Sequence, residues 1–265
     1  MLGSRAEAED VVQEAYVRWH QMDDEAIRSA EAWLVTTATR LAIDRLRALK
    51  VEREAYTGPW LPEPIIGAEP PDREAELASD LSVAFMVLLE RLAPEVRAAF
   101  LLHDVFDCGY TEIAGLLGKT EAASRQIVHR ARGRVRDDQT RFPATEAARV
   151  RLLKTFVAAM EARDEQALVQ LFAPDATWTA DGGGKTAATP HPIEGADAIL
   201  KLVLGLQRRF SREGVTLHLG TVNGETGLLV RLGGRVGAAI SVVIDGDRIA
   251  RVYAIVNPDK LPPTM

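Results

Sequence analysis

Residues 110–136, YTEIAGLLGKTEAASRQIVHRARGRVR, constrain this chain more than any other stretch. Ile113, Leu116 and Leu117 fall on one side of a helix that Thr111 is placed to cap. Gly118 follows, where a helix ends best in a left-handed residue. Thr120 is placed to cap a second helix, in which Ala123, Ile127, Ala131 and Val135 recur every fourth residue as a buried stripe. Arg125, His129, Arg132 and Arg136 gather on the opposite side. Two helices joined by a tight glycine turn, the second with a basic outer face, form the pattern that lays a helix in the major groove of DNA.

Charge sharpens this reading. From Lys119 to Arg136 six Lys/Arg stand against one acid, so the stretch carries +5 on a chain of net charge −6. Any nucleic-acid contact is therefore a local patch, or one assisted by a larger complex. Lys119, Thr120, Glu121, Ala122, Ser124 and Arg125 lie at the second helix's start, where base edges come within reach; Arg pairs with guanine and Ser with several bases. His129, Arg130, Arg132, Arg134 and Arg136 follow on the basic face, the arginines placed for phosphates.

The rest divides by texture. Residues 4–22 read as a helix, with Ser4 and Glu7 at capping-box spacing and Ala8, Val11, Val12, Ala15, Tyr16 and Trp19 as its inner stripe. A polar loop from Gln21 to Ser29 leads to a helix over 30–50 with Leu34, Ala38, Leu41, Ala42, Leu46 and Leu49 inside. Two helices make a thin core, so this N-terminal unit reads as incomplete. Residues 56–73 hold five prolines and are expected as a stiff, extended linker. Trp60, Leu61, Ile65 and Ile66 are too apolar for a solvated spacer and want either a groove or the flanking helices. A helix near 76–91 and one starting at Pro94, with Val96, Ala99, Leu102 and Phe106 inside, precede the helix-turn-helix.

After Phe142-Pro143 the pattern changes to α+β. Val150, Leu153, Val157 and Met160 mark a helix, Leu168, Leu171 and Phe172 a shorter one, and Ile199, Val203, Leu206 and Phe210 a third. Ala176, Trp178 and Ala180 alternate as a strand. Runs 215–222, 226–232, 236–244 and 248–256 are joined by Asn223-Gly224, Gly233-Gly234 and Asp245-Gly246, which are hairpin turns. A curved antiparallel sheet wrapping a helix follows. No run of about 18 apolar residues suggests a membrane span, and no basic-then-apolar leader suggests export. The single Cys108 excludes an internal disulfide framework and reads as buried packing.

In this order the elements resemble a bacterial extracytoplasmic-function sigma factor. Residues 6–19, AEAEDVVQEAYVRW, resemble sigma region 2.2; residues 32–47, AWLVTTATRLAIDRLR, resemble regions 2.3–2.4; residues 95–136 resemble region 4; residues 146–256 resemble a SnoaL-like domain of the NTF2-like cone fold. Trp60-Leu61-Pro62-Glu63-Pro64, Asp181-Gly182-Gly183-Gly184-Lys185 and Asn257-Pro258-Asp259-Lys260-Leu261 resemble signature strings of the subgroup that carries this extension. Members of that family usually carry about one more helix before the Met1–Ser4 start.

The resemblance implies two all-α sigma domains and an α+β cone. The expected bounds are 1–55 for region 2, 56–73 for the linker, 74–141 for region 4, 146–257 for the cone and 258–265 for a tail. It implies a cytoplasmic, monomeric protein that uses no cofactor and does no bond chemistry. Its partners would be core RNA polymerase, through the β′ clamp and β flap, and promoter DNA. Asp10, Gln13, Glu14 and Arg18 would face polymerase, and Arg40, Arg45 and Arg47 the opened −10 element. Trp33 is placed either to stack on bases or, on the helix's inner edge, to pack in the core. The three signature strings would couple linker, cone and tail in a regulatory contact. Two other readings stand beside this one. A one-component regulator would pair the helix-turn-helix with a small-molecule ligand in the cone. An enzyme would use Asp175, Asp181, His191, His218 and Tyr253 around a pocket, although no pairing in sequence fixes an acid and a base.

Overall fold

The computed structural model describes residues 1–22, 29–67, 82–138, 144–210 and 214–262. These fall into two units, one made of Met1–Ala55 with Leu88–Gln139, the other of Tyr56–Val87 with Thr140–Met265. The linker therefore groups with the C-terminal domain, and the two helical regions, expected as separate modules, group with each other. The expected linker over 68–73, the expected helix over 76–81, the expected loop over 23–28 and the Phe142-Pro143 junction lie outside the described residues.

In the first unit, α1 (Arg5–His20) packs on α2 (Ala30–Glu54). Ser29 caps α2 by accepting the Ala32 N–H at 3.3 Å. Ser4 is extended at the start of α1 but makes no side-chain cap, and the Glu7 side chain, instead of reaching back to Ser4, pairs with Arg45. The stripe of α1 is narrower than expected. Ala15 is buried and Val11 and Trp19 half-buried, whereas Val12 and Tyr16 are 65% and 60% exposed. Ala42, Ile43, Leu46 and Leu49 bury along α2, while Leu34, near its start, is exposed. Helix α3 (Val83–Glu90) follows, its first residues belonging to the second unit. Helix α4 (Pro94–Asp104) begins with proline, whose missing N–H costs nothing there. It buries Ala98, Ala99, Leu101 and Leu102, but Phe106 lies beyond its end and is 68% exposed. Arg97 and Arg53 converge on Glu90; Arg97 Nη1 also donates to the Met1 carbonyl and Arg53 Nη2 to the Leu2 carbonyl.

Helices α5 (Tyr110–Leu117) and α6 (Glu121–Asp138) form the helix-turn-helix. Gly118 sits at φ 64°, the left-handed turn that a Cβ would strain. Thr120 caps α6 by accepting the Ala123 N–H at 3.2 Å. Thr111 is not a cap: Gly109 holds that position, two residues earlier, and the Thr111 hydroxyl is directed to Glu121. The buried stripe of α6 is Ser124, Val128, Ala131 and Val135, with Ala123 and Ile127 only half-buried. A strict every-fourth spacing drifts about 40° per step around a helix of 3.6 residues per turn. Steps of four, three and four stay on one face, so the true stripe begins one residue later than expected.

In the second unit, α7 (Glu146–Ala162), α8 (Glu165–Gln170) and α9 (Ala196–Phe210) lie on a sheet of order β2-β1-β6-β5-β4-β3. The strands are β1 (Phe172–Asp181), β2 (Ile193–Glu194), β3 (Val215–Val222), β4 (Glu225–Leu232), β5 (Arg235–Asp245) and β6 (Arg248–Ile255). All pairs are antiparallel except β1 with β6. Paired positive φ values at Asn223/Gly224 (52° and 80°) and Gly233/Gly234 (56° and 82°) make the tight hairpins expected.

Alternation along the strands divides the apolar residues between two faces. Phe156, Phe172, Trp178, Ile199, Val242, Val252 and Ala254 join the helices in one core. Their neighbours Ala239, Tyr253 and Ile255 point the other way, into a second core completed by Leu61, Val83, Val222, Leu229 and Leu261. The linker and the tail thus cover the outer face of the sheet. Near the top of α7, buried Arg149 pairs with Glu225 at 2.9 Å, and burial pushes the Glu225 carboxyl above its usual range.

Candidate functional site

The exposed face of α6 carries Glu121, Arg125, Gln126, His129, Arg130 and Arg132. A shallow groove runs along it, lined by Tyr110, Arg125, Gln126, His129, Arg130 and Arg132. Arg132 is tethered to Asp104 at 2.7 Å, and Arg125 to Glu121 at 2.8 Å. Ser124, expected to touch bases, is fully buried and presents nothing to a groove. Gln126 was missed. It stands on the open face beside Arg125, and the corrected stripe of α6 would have put it there.

The other charged candidates divide between exposed and engaged. Arg40 is exposed on α2. Arg45 is held by Glu7 through two of its nitrogens and by Glu52 at 2.7 Å, so it staples α1 to α2 rather than facing outward. Those bonds hold the Glu7 carboxyl below the usual carboxylate range. Arg47 donates to Glu95 at 2.7 Å, and Lys119 pairs with the other oxygen of the same carboxylate at 2.9 Å. The Lys119 ammonium foremost holds the Glu95 carboxyl low despite its partial burial. Trp33 is half-buried edge-on to Trp19, with ring centroids 5.4 Å apart, which is the packing role. Asp10, Gln13, Glu14 and Arg18 are exposed on α1, Glu14 and Arg18 paired at 2.8 Å.

The three signature strings meet at one carboxylate. Asp181, at the end of β1, is fully buried. Its Oδ1 accepts the Tyr56 hydroxyl at 2.6 Å; its Oδ2 accepts the Leu61 N–H at 2.8 Å and the Lys260 ammonium at 2.7 Å. Lys260 also donates to the Leu61 carbonyl and sits over the rings of Trp60 and Tyr56, 4.1 and 5.2 Å from their centroids. Asn257 donates to the Tyr56 oxygen at 2.9 Å and caps the turn Pro258–Lys260 through the Asp259 N–H. Burial foremost, and then the bond to Asp181, raises the Tyr56 pKa. Lys185 pairs with Asp259 at the surface.

The glycines explain why this loop approaches so closely. A Cβ on Gly183, at φ 59°, would collide with the Asn257 amide, and one on Gly182 with the Thr186 carbonyl. Leu61, Pro62 and Pro64 are buried and Glu63 half-buried. Beyond them the linker joins the edge of β3: Ile66 bridges Val222, the Asn223 N–H donates to the Ile65 carbonyl at 2.8 Å, and the Ile65 N–H donates to Asn223 Oδ1 at 2.9 Å. Sequence reasoning missed Tyr56 and Asn223. Neither lies in a signature string, and Asn223 carried only a turn signal.

The supposed acid–base set does not converge. Asp175, His191 and His218 are exposed, Tyr253 belongs to the outer core, and both carboxylate oxygens of Asp181 are engaged by linker and tail. No helix among the described residues is long and apolar enough to cross a membrane.

A basic helix-turn-helix, a preceding helix pair and a cone-like α+β domain clasping the linker between them define a class of promoter-recognition subunit. Residues 1–51 match the Sigma-70 region 2 family, residues 82–135 the Sigma-70 region 4 family, and residues 153–255 the SnoaL-like domain. The chain is 38% identical over 277 residues to the ECF RNA polymerase sigma factor SigJ of Mycobacterium tuberculosis, spanning 98% of this chain and 87% of that one. It is 26% identical to the probable ECF sigma factor SigI of the same organism over 99% of this chain and 89% of the relative. The crystal structure of Mycobacterium tuberculosis SigJ superposes with a TM-score of 0.77 at 36% identity, covering 97% of this chain and 90% of that one. The chain belongs to the extracytoplasmic-function sigma factors, whose work is promoter recognition and transcription initiation with RNA polymerase.

Proposed function

We propose that the chain brings core polymerase to promoters by reading the −35 element with α6 and the opened −10 strand with α2, while the C-terminal domain governs both in cis through the linker. Glu121, Arg125 and Gln126 read bases, and His129, Arg130 and Arg132 hold phosphates, since all stand on the open face of α6. Arg40 contacts the opened strand. Arg47 and Lys119 join once they leave Glu95. The exposed polar face of α1, at Asp10, Gln13, Glu14 and Arg18, meets the basic β′ clamp.

The observation that carries the regulatory half is Asp181. A carboxylate removed from water needs partners, and its partners here are Tyr56 and Leu61 of the linker and Lys260 of the tail. The course of the linker is thereby tied to the folded cone. Core-polymerase pull-down followed by run-off transcription tests both halves, comparing the full chain with a form ending at residue 145 and with Trp60→Ala. All three forms should bind core, and promoter output should differ among them. No core binding by the full chain contradicts the first half. Equal output from all three at every promoter contradicts the second.

A further inference from the structure

The guanidinium of Arg125 is held on two sides. Its Nη2 donates to Glu121 Oε1 at 2.8 Å, and its Cζ lies 4.9 Å from the centroid of the Tyr110 ring. Both supports are themselves anchored. Glu121 Oε2 accepts the Thr111 hydroxyl at 2.9 Å. The Tyr110 ring leans on His103, centroids 4.3 Å apart, and the His103 Nδ1–H donates to the Cys108 carbonyl at 2.9 Å. A chain of contacts thus runs from α4, through the turn and α5, to one side chain at the start of α6. That side chain is 62% exposed. An arginine so exposed would ordinarily sweep its rotamers and settle on whichever phosphate came near.

Glu121 is the informative member. A carboxylate on a surface that approaches DNA is repelled by phosphate and lowers affinity for every sequence. Thr111 and Arg125 hold the Glu121 carboxyl below the usual range, so the charge persists. The same carboxylate orients the fork of Arg125, and one turn of helix away it offers an acceptor that cytosine N4–H can fill. A donor fork and an acceptor at i and i+4 together match a G·C pair or two adjacent bases, and match phosphate poorly.

We propose that Tyr110, Thr111 and Glu121 are positioning and specificity-determining residues: they hold Arg125 as a base reader and withhold it from the phosphate backbone. The proposal rests on the reading that α6 contacts the upstream promoter element. Unlike base contact by Arg125 alone, it gives the Glu121 carboxylate a defined cost and benefit. Removing its charge should raise affinity for DNA at large and lower discrimination between bases.

The test uses the full chain assembled with core polymerase, on duplex templates with a randomised upstream element, sequencing the transcripts. Companion binding titrations at several salt concentrations use the best and worst templates. Arg125→Ala is the control for the underlying reading and should abolish preference at one or two positions, about a tenfold loss each or more. If it changes preference nowhere, the placement of α6 is wrong and the proposal falls with it. Where Arg125→Ala does act, Glu121→Gln should bind the worst template more tightly, lower the preference at those positions about three- to tenfold, and steepen the salt dependence by about one phosphate contact. Tyr110→Leu should cost about two- to fivefold in the same preference, and Tyr110→Phe, which keeps the ring, should restore it. A merely structural role for Glu121 would lower binding to all templates together. Should Glu121→Gln and Tyr110→Leu both keep the wild-type preference at the positions that Arg125→Ala abolishes, the proposal is overturned and the reading of α6 stands.

Discussion

Replacing Asp181 by asparagine should free the linker while leaving the cone folded. The carboxylate is fully buried and accepts three hydrogen bonds, two of them from linker groups and one from the Lys260 ammonium. Asparagine keeps the shape, but its one oxygen can serve the Leu61 N–H and Lys260 only if its amide N–H faces the Tyr56 hydroxyl, which must then turn and lose its acceptor. The Lys260 side chain, 13% exposed, is left without its counter-charge. Breaking one side of a buried ion pair costs about 3–5 kcal/mol. Moving Lys260 into water as the linker detaches recovers part of that, so about 3 kcal/mol in favour of the detached linker is the working figure, roughly a hundredfold in the docking equilibrium. The Leu61 amide reports this directly, because its N–H donates to the substituted carboxylate. Hydrogen exchange followed by mass spectrometry should show protection falling about a hundredfold over 56–67, with β5 and β6 unchanged. Unchanged protection at 56–67 would refute the claim that Asp181 holds the linker. Loss of protection throughout β1, β5 and β6 would show instead that it serves the cone's own fold.

Arg45→Ala should destabilise the first unit by about 1.5–3 kcal/mol, as loss of charge-assisted bonds to Glu7 and Glu52 requires, whereas exposed Arg40→Ala should stay within about 0.5 kcal/mol of wild type and instead weaken promoter opening. Chemical denaturation with a permanganate footprint of the opened strand separates the two effects. Gly183→Ala should cost the linker contact about 1–3 kcal/mol through backbone strain, besides its collision with Asn257, and exchange at 56–67 reads that loss. Glu95 is held low by Lys119 foremost and also by Arg47, so the stability it contributes is complete above the unfolded carboxylate value, about 4.3, and is lost as pH falls through the lower folded value. Acid melting of the first unit should therefore begin below about pH 4, and Glu95→Gln should flatten that limb of the curve.

What could be read from sequence follows the physics of each element. The hairpins were plain because Asn223-Gly224 and Gly233-Gly234 are among the few pairs that take two positive φ values cheaply. The strand ends at 215–222 matched because their alternation is short and flanked by turns. The α6 stripe was off by one residue, because Ser124 gave no apolar signal although it is the most deeply buried position on the helix's first turn. Phe106 went wrong for the opposite reason: an apolar side chain fitted the period but fell after the helix had ended.

The clasp was half legible. Glycines at 182–184 and an apolar proline segment announced close backbone approach and a need for a groove. One further signal went unused. In β5 and β6, AAISVVI and IARVYAI, all residues but Ser241 and Arg251 are apolar or aromatic, on both faces, as strands covered on both sides require. That pattern demands a second layer over the sheet, which the linker and tail supply. Tyr56 carried no such signal, and only tertiary structure sets its hydroxyl 2.6 Å from Asp181.

The central claim is that the linker's grip on Asp181 and Lys260 sets what the sigma domains do at promoters. Run-off transcription with core polymerase on a common promoter library, comparing the full chain with Asp181→Asn and with Lys260→Met at equal core occupancy, tests it most directly. Both variants should shift output in the same direction at the same promoters. Transcript profiles that superimpose on wild type, from variants whose linker exchange is shown to be fast, would contradict it.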